Sequence, residues 1–110
     1  MLIFHICPQT EWEAAQATGE YRADSLATEG FIHCSTPEQV LLPANRYFRG
    51  REGLILVALE TERLQAELRF EEARNAEVYP HIYGPINLDA TVKVIPFPPN
   101  PDGSFSLPDF

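Results

Sequence analysis

Between Gly53 and Leu59 the chain reads Gly-Leu-Ile-Leu-Val-Ala-Leu, a run without a polar side chain. Strict alternation of apolar and polar residues marks a strand with one wet face. A short continuous apolar run marks a strand covered on both faces. A fold built around this segment must place apolar layers on either side of a sheet. The rest of the sequence has to supply those layers.

Residues 2–7 alternate, with Leu2, Phe4 and Ile6 on one face and Ile3, His5 and Cys7 on the other. Pro8 ends that strand. Thr10 and Glu13 have the spacing of a capping box, which predicts an alanine-rich helix over 11–18 stopped by Gly19. Residues 20–29 read as polar and irregular. A second strand is expected over 30–35, with Phe31, His33 and Ser35 sharing a face. Ser35 or Thr36 then caps a helix running toward Phe48 and Gly50, which Pro43 should kink or split. Thr61 to Gln65 fits one helical turn, Leu68–Glu71 a short strand, and residues 72–78 an acidic loop. Residues 79–86 form a further strand turning at Gly84-Pro85, and Ala90–Ile95 the last one. From about 96 to 110 a proline-rich extended segment closes a single domain, with Phe97, Phe105, Leu107 and Phe110 available to pin it. Helices early and strands late predict an α+β fold with a bent or split, mainly antiparallel sheet and two or three helices.

Composition bounds the function classes. Hydrophobic residues at 45% and charged residues at 22% are ordinary for a globular chain that folds without metals or disulfides. The formal charge is −8, with Lys93 the single lysine beside seven arginines. Such a surface repels phosphate backbones and anionic membranes, so neither nucleic acid nor a membrane is expected as a partner. Cys7 and Cys34 lie in apolar strand candidates without C-x-x-C spacing and read as reduced core residues. No signal-like segment and no long apolar stretch is evident, so the expected compartment is the cytoplasm.

All three histidines, His5, His33 and His81, fall in strand-like segments. Imidazole titrates near neutrality, moves protons and ligates metals, so three on strands suggest one composite polar site. His33 precedes a hydroxyl-rich turn and a helix start, the setting in which backbone N–H groups receive phosphate. Tyr79, His81 and Tyr83 alternate onto one face, where aromatic rings can stack a flat ligand. The competing structural readings are a hydrogen-bonded strand histidine and a packed aromatic edge. Zinc on three histidines would need the fold to gather residues 28 and 48 positions apart, since no compact ligand motif is present. Neighbouring strand residues point to opposite faces, which argues against His33 activating Cys34. The Glu71-Glu72 pair offers a carboxylate for acid–base work, or a solvated acidic face.

Several blocks of the chain resemble a known family. They are Phe4-His5-Ile6, Glu29-Gly30-Phe31-Ile32-His33-Cys34-Ser35 and Pro80-His81-Ile82-Tyr83-Gly84-Pro85-Ile86, with Trp12, Tyr21, Ser25-Leu26 and Ala44-Asn45 between them. From Leu2 to about Leu107 the sequence is identified as a member of domain-of-unknown-function family 952, small and mostly bacterial proteins. A more distant similarity is to the ADP-ribosyltransferase-like superfamily. That resemblance implies NAD or a related nucleotide as ligand. His5 would meet a ribose hydroxyl, and the Gly30–Ser35 strand with its following helix would face the nicotinamide. The third-strand region would be His81 or Tyr83. No glutamate lies in Tyr79–Ile86, where many transferases carry a catalytic one.

The expected site is a cleft lined by His5, Ser25, His33, Ser35, His81 and Tyr83. His33 and His81 are its candidate catalytic residues. His33 and Tyr83 would flank a flat ring, Ser35 and the helix start would receive a phosphate, and His81 would give or take a proton. ADP-ribosyl-transfer-like chemistry is the activity so implied. Two other classes stay open: a non-catalytic interaction module using the His81–Pro85 edge and the proline-rich tail, and a metal-dependent hydrolase.

Overall fold

A computed structural model describes residues 1–110. Strand β1 (Leu2–Pro8) leads into helix α1 (Gln9–Ala15), then come β2 (Glu20–Tyr21), helix α2 (Asp24–Thr28) and β3 (Ile32–His33). Helix α3 (Leu41–Tyr47) precedes β4 (Leu54–Glu60), β5 (Glu67–Glu72), β6 (Val78–Tyr83), β7 (Ile86–Asn87) and β8 (Thr91–Pro96). Two three-stranded antiparallel sheets result, in the orders β1-β4-β8 and β3-β6-β5, with β2 and β7 forming a separate pair. The architecture is α+β with split antiparallel sheets, as the order of elements predicts.

The apolar run is the middle strand of the first sheet, and its two faces bury different layers. Ile55, Val57 and Leu59 face a core shared with Ile3, Trp12, Tyr21, Ile32, Ile82 and Ile86, which joins the two sheets under α1. Leu54, Leu56 and Ala58 face Phe4, Val40, Ala44, Ile95, Phe97 and Phe105. The second layer is therefore α3 and the C-terminal segment. Phe97 and Phe105 stack with centroids 4.7 Å apart, and the Asn45 side chain accepts the Phe105 N–H at 2.7 Å. Phe110 meets Phe4 edge-on at 4.9 Å, and Leu107 is exposed.

Helix boundaries depart from sequence expectation for identifiable reasons. β1 runs through Pro8, and the Gln9 N–H donates to the Gly53 carbonyl at 2.8 Å. The helix therefore starts at Gln9, one residue ahead of Thr10, and no side chain caps it. Gln9 instead donates to Glu13 across one turn. The segment after Ser35 is a turn, and the helix proper begins at Leu41. Pro43 thus lies in a first turn, where its missing N–H costs no hydrogen bond, and no kink is needed. Helix α2 and the β2–β7 pair replace expected irregular chain. No helix exceeds seven residues, and none is long and apolar enough to cross a membrane.

Chain geometry at two glycines shapes the second sheet. Gly30 has φ +90°, a left-handed turn that swings the chain from α2 into β3. A Cβ on Gly84 would sit 2.8 Å from the Ala66 Cβ, so glycine lets the start of β5 close on the end of β6.

Candidate functional site

In the second sheet β3 and β6 pair with His33 opposite His81, and β5 lies on the far side of β6. This register gathers four rings. Phe31 stacks on His81 at 4.1 Å and 18°, meets His33 at 4.8 Å, and approaches Tyr83 at 5.3 Å. The two imidazole centroids are 5.4 Å apart. Period-two alternation on β6 sends His81 and Tyr83 to one face, and cross-strand pairing adds Phe31 and His33.

Each imidazole of this cluster is held by a carboxylate. His81 Nδ1 lies 2.8 Å from Glu71 Oε1, and His33 Nε2 lies 2.8 Å from Glu29 Oε2. The Tyr83 hydroxyl donates to the same Glu71 oxygen. These donors hold the Glu71 carboxyl below its ordinary range, the Tyr83 bond first and the His81 bond second. The same bond pushes the Tyr83 phenol above its ordinary range. An ionised carboxylate can only accept, so the His81 proton sits on Nδ1 and the neutral ring keeps its lone pair on Nε2. By the same rule the His33 proton sits on Nε2. Arg69 lies 4.2 Å over the Tyr83 ring and is engaged by Glu67 at 2.8 and 3.1 Å.

The other expected site residues lie elsewhere. His5 is 6% exposed, and both its ring nitrogens are engaged inside the protein. Nδ1 donates to the His33 carbonyl at 2.7 Å, and Nε2 accepts from the Tyr21 hydroxyl at 3.2 Å. It presents no ring nitrogen to a ribose. Ser25 donates to the Phe31 carbonyl at 2.8 Å. Ser35 is buried where the chain crosses from the second sheet to the first, pairing its backbone with Phe4. Its N–H donates to Phe4, and the Thr36 N–H donates to Gln39 Oε1. The backbone N–H groups of Ser35 and Thr36 are thus spent inside the protein. His5, Ser25 and Ser35 brace the strand that carries Phe31 and His33.

No three ligating groups of the metal-binding kinds converge, and His5 is buried with its Nδ1 bound to the His33 carbonyl. Burial pushes the Cys7 thiol up to about 12 and the Cys34 thiol upward as well. Neither forms a ready thiolate near neutrality. Two open hollows flank α1, one along Ala14, Thr18 and Tyr21 and the other along Trp12, Gln16 and Val94, and neither includes His33 or His81. Strand alternation places Phe31 on the His33 face without giving it a role, and motif reading passes over Glu29. The Glu-Gly-Phe-Ile-His spacing carried the signal, since a left-handed glycine folds residue 29 back toward residue 33.

Comparison with known proteins extends this description. The crystal structure of protein CC0527 from Caulobacter crescentus superposes with a TM-score of 0.89 at 33% identity, covering 97% of this chain and 95% of that one. A double-mutant form superposes equally well, with a TM-score of 0.89 at 32% identity over the same shares. The solution NMR structure of CC0527 gives 0.81 at 34%, over 94% and 90%. No curated protein matches the chain. The model of the family described as "Protein of unknown function (DUF952)" matches residues 6–94. With most of its length matched, this chain belongs to the DUF952 family.

Proposed function

We propose that the sheet face bearing Phe31, His33, His81 and Tyr83 is an acid–base site for a small ligand with a flat nitrogen ring, of the NAD or related nucleotide class. The observation that carries this reading is the Glu71 carboxylate receiving both His81 Nδ1 and the Tyr83 hydroxyl. A carboxylate that fixes one imidazole nitrogen as donor frees the other as a base and stabilises the imidazolium that forms. His33, held the same way by Glu29, is the second proton carrier 5.4 Å away. Both rings present a lone pair to the ligand, so each acts first as a base and supplies a proton only as the imidazolium that its carboxylate stabilises.

Two carboxylates with no unpaired cation beside them favour positive charge in the bound molecule or its transition state. A glycosidic carbon next to a ring nitrogen develops such charge as the bond to that nitrogen breaks. ADP-ribosyl-transfer-like chemistry has this character, and the distant resemblance supports it. Phe31 and Tyr83 supply the apolar surface for the ring.

The test is titration with NAD and with ADP-ribose, followed through the three imidazole resonances by NMR. The expected result is that His33 and His81 shift together and saturate while His5 stays fixed. The reading fails if neither moves at millimolar ligand.

A further inference from the structure

β3 is the shortest carrier a site could have. Ile32 and His33 pair with β6 and the Cys34 N–H donates to the Pro80 carbonyl at 3.1 Å, yet this short strand and its preceding residue present two of the four rings. Short pairing leaves a strand poorly fixed unless other groups hold its backbone. Here two side chains from other elements do so through main-chain carbonyls. Ser25, from α2, binds the carbonyl of Phe31 at 2.8 Å. His5, from β1 in the other sheet, binds the carbonyl of His33 at 2.7 Å.

The His5 bond is itself over-determined. A carbonyl only accepts, so His5 Nδ1 carries the proton and Nε2 must accept. The Tyr21 hydroxyl supplies that second proton at 3.2 Å, with its ring tilted against the imidazole at 5.2 Å. Ring, tautomer and direction are all set within the core between the two sheets. The far end of this chain is the residue whose imidazole faces Glu29 and His81.

We infer that His5 is a positioning residue, whose Nδ1–H fixes the His33 backbone and thereby the orientation of the His33 imidazole between Glu29 and His81. The inference rests on the reading of this face as a site, but the geometry it asserts exists without ligand. Asparagine places an amide N–H close to where histidine Nδ1 lies, whereas leucine fills the space with no donor. Tyr21→Phe removes the hydroxyl but keeps the His5 donor.

The experiment is the long-range nitrogen–proton NMR spectrum of the imidazoles, recorded without ligand on wild type, His5→Leu, His5→Asn and Tyr21→Phe. Wild type should show His33 as a single Nε2–H tautomer. His5→Leu should convert His33 to an averaged ring signal, and His5→Asn and Tyr21→Phe should restore or retain the wild-type one. A role in packing alone would track side-chain volume and global stability, and would leave the His33 tautomer untouched. A folded His5→Leu protein with a wild-type His33 signal overturns the inference. If His5→Leu does not fold, His5→Asn decides: a folded protein with an averaged His33 ring overturns it, and a fixed ring supports it. Failure of nucleotide to shift His33 and His81 in wild type would instead count against the site, and leaves this result intact.

Discussion

Acidification should unfold this protein partly through one buried imidazole. Burial pushes His5 from its ordinary value of 6.5 down to about 4, opposed in part by its bond to the His33 carbonyl. In the unfolded chain His5 takes up a proton below about pH 6.5, and in the folded chain only near pH 4. Between those values the unfolded state binds more protons, so stability rises with pH and is lost as pH falls. The full window is worth about 3 kcal/mol, of which about 2 kcal/mol falls between pH 7 and pH 5. The carboxyls held below their ordinary range, among them Glu71 and Asp102, add their losses at lower pH. Urea unfolding of wild type and His5→Asn at pH 7, 6 and 5 isolates the effect, because asparagine keeps a donor but cannot titrate. Wild type should lose about 2 kcal/mol more than the variant over that range. Equal losses in the two proteins would refute the claim that His5 is buried and neutral.

Leu56→Ala removes a fully buried side chain from the central strand facing α3, and should cost about 3 kcal/mol in urea unfolding. A loss below about 1 kcal/mol would mean that the second layer is loosely packed. Gly30→Ala meets no atom within 4 Å, so its cost is backbone strain at φ +90°, about 1–2 kcal/mol by thermal or chemical melting. No change would show that Gly30 does not adopt the left-handed turn. Glu71→Gln should let the Tyr83 phenol titrate nearer its ordinary range, since the Glu71 bond is the main cause of its elevation. An ultraviolet pH titration reads that shift, and an unmoved phenol would separate Tyr83 from Glu71.

Local sequence carried the candidate site further than it carried the helices. The β6 alternation placed His81 and Tyr83 on one face, because side-chain direction in a strand is set by period two alone. Phe31 and His33 followed from the same rule one strand away. Meeting the first pair required the β3–β6 register, which depends on long-range packing of Ile32 against Ile82. The pairing of each carboxylate with its imidazole was hidden for a similar reason. Glu71 reaches His81 only because β5 and β6 form a hairpin, and Glu29 reaches His33 only through the Gly30 turn. The capping-box pattern at Thr10 failed because the strand before it extends into the helix start and supplies other partners.

By itself the sequence determined the layer plan and the fold class. A short, β-branched apolar run without alternation fits a strand covered twice, and amphipathic segments on either side can supply the covers. It also determined that histidines would sit on strands, since their neighbours alternate. Tertiary structure alone decided where each imidazole points. β1 carries a core on both faces and meets Ser35 beyond its sheet edge, so His5 is buried and bonds a carbonyl, while His33 and His81 share the second sheet and face each other. Burial is a property of what packs on a strand. One strand's own residues cannot encode it, and the three similar histidine segments therefore acquired two different roles.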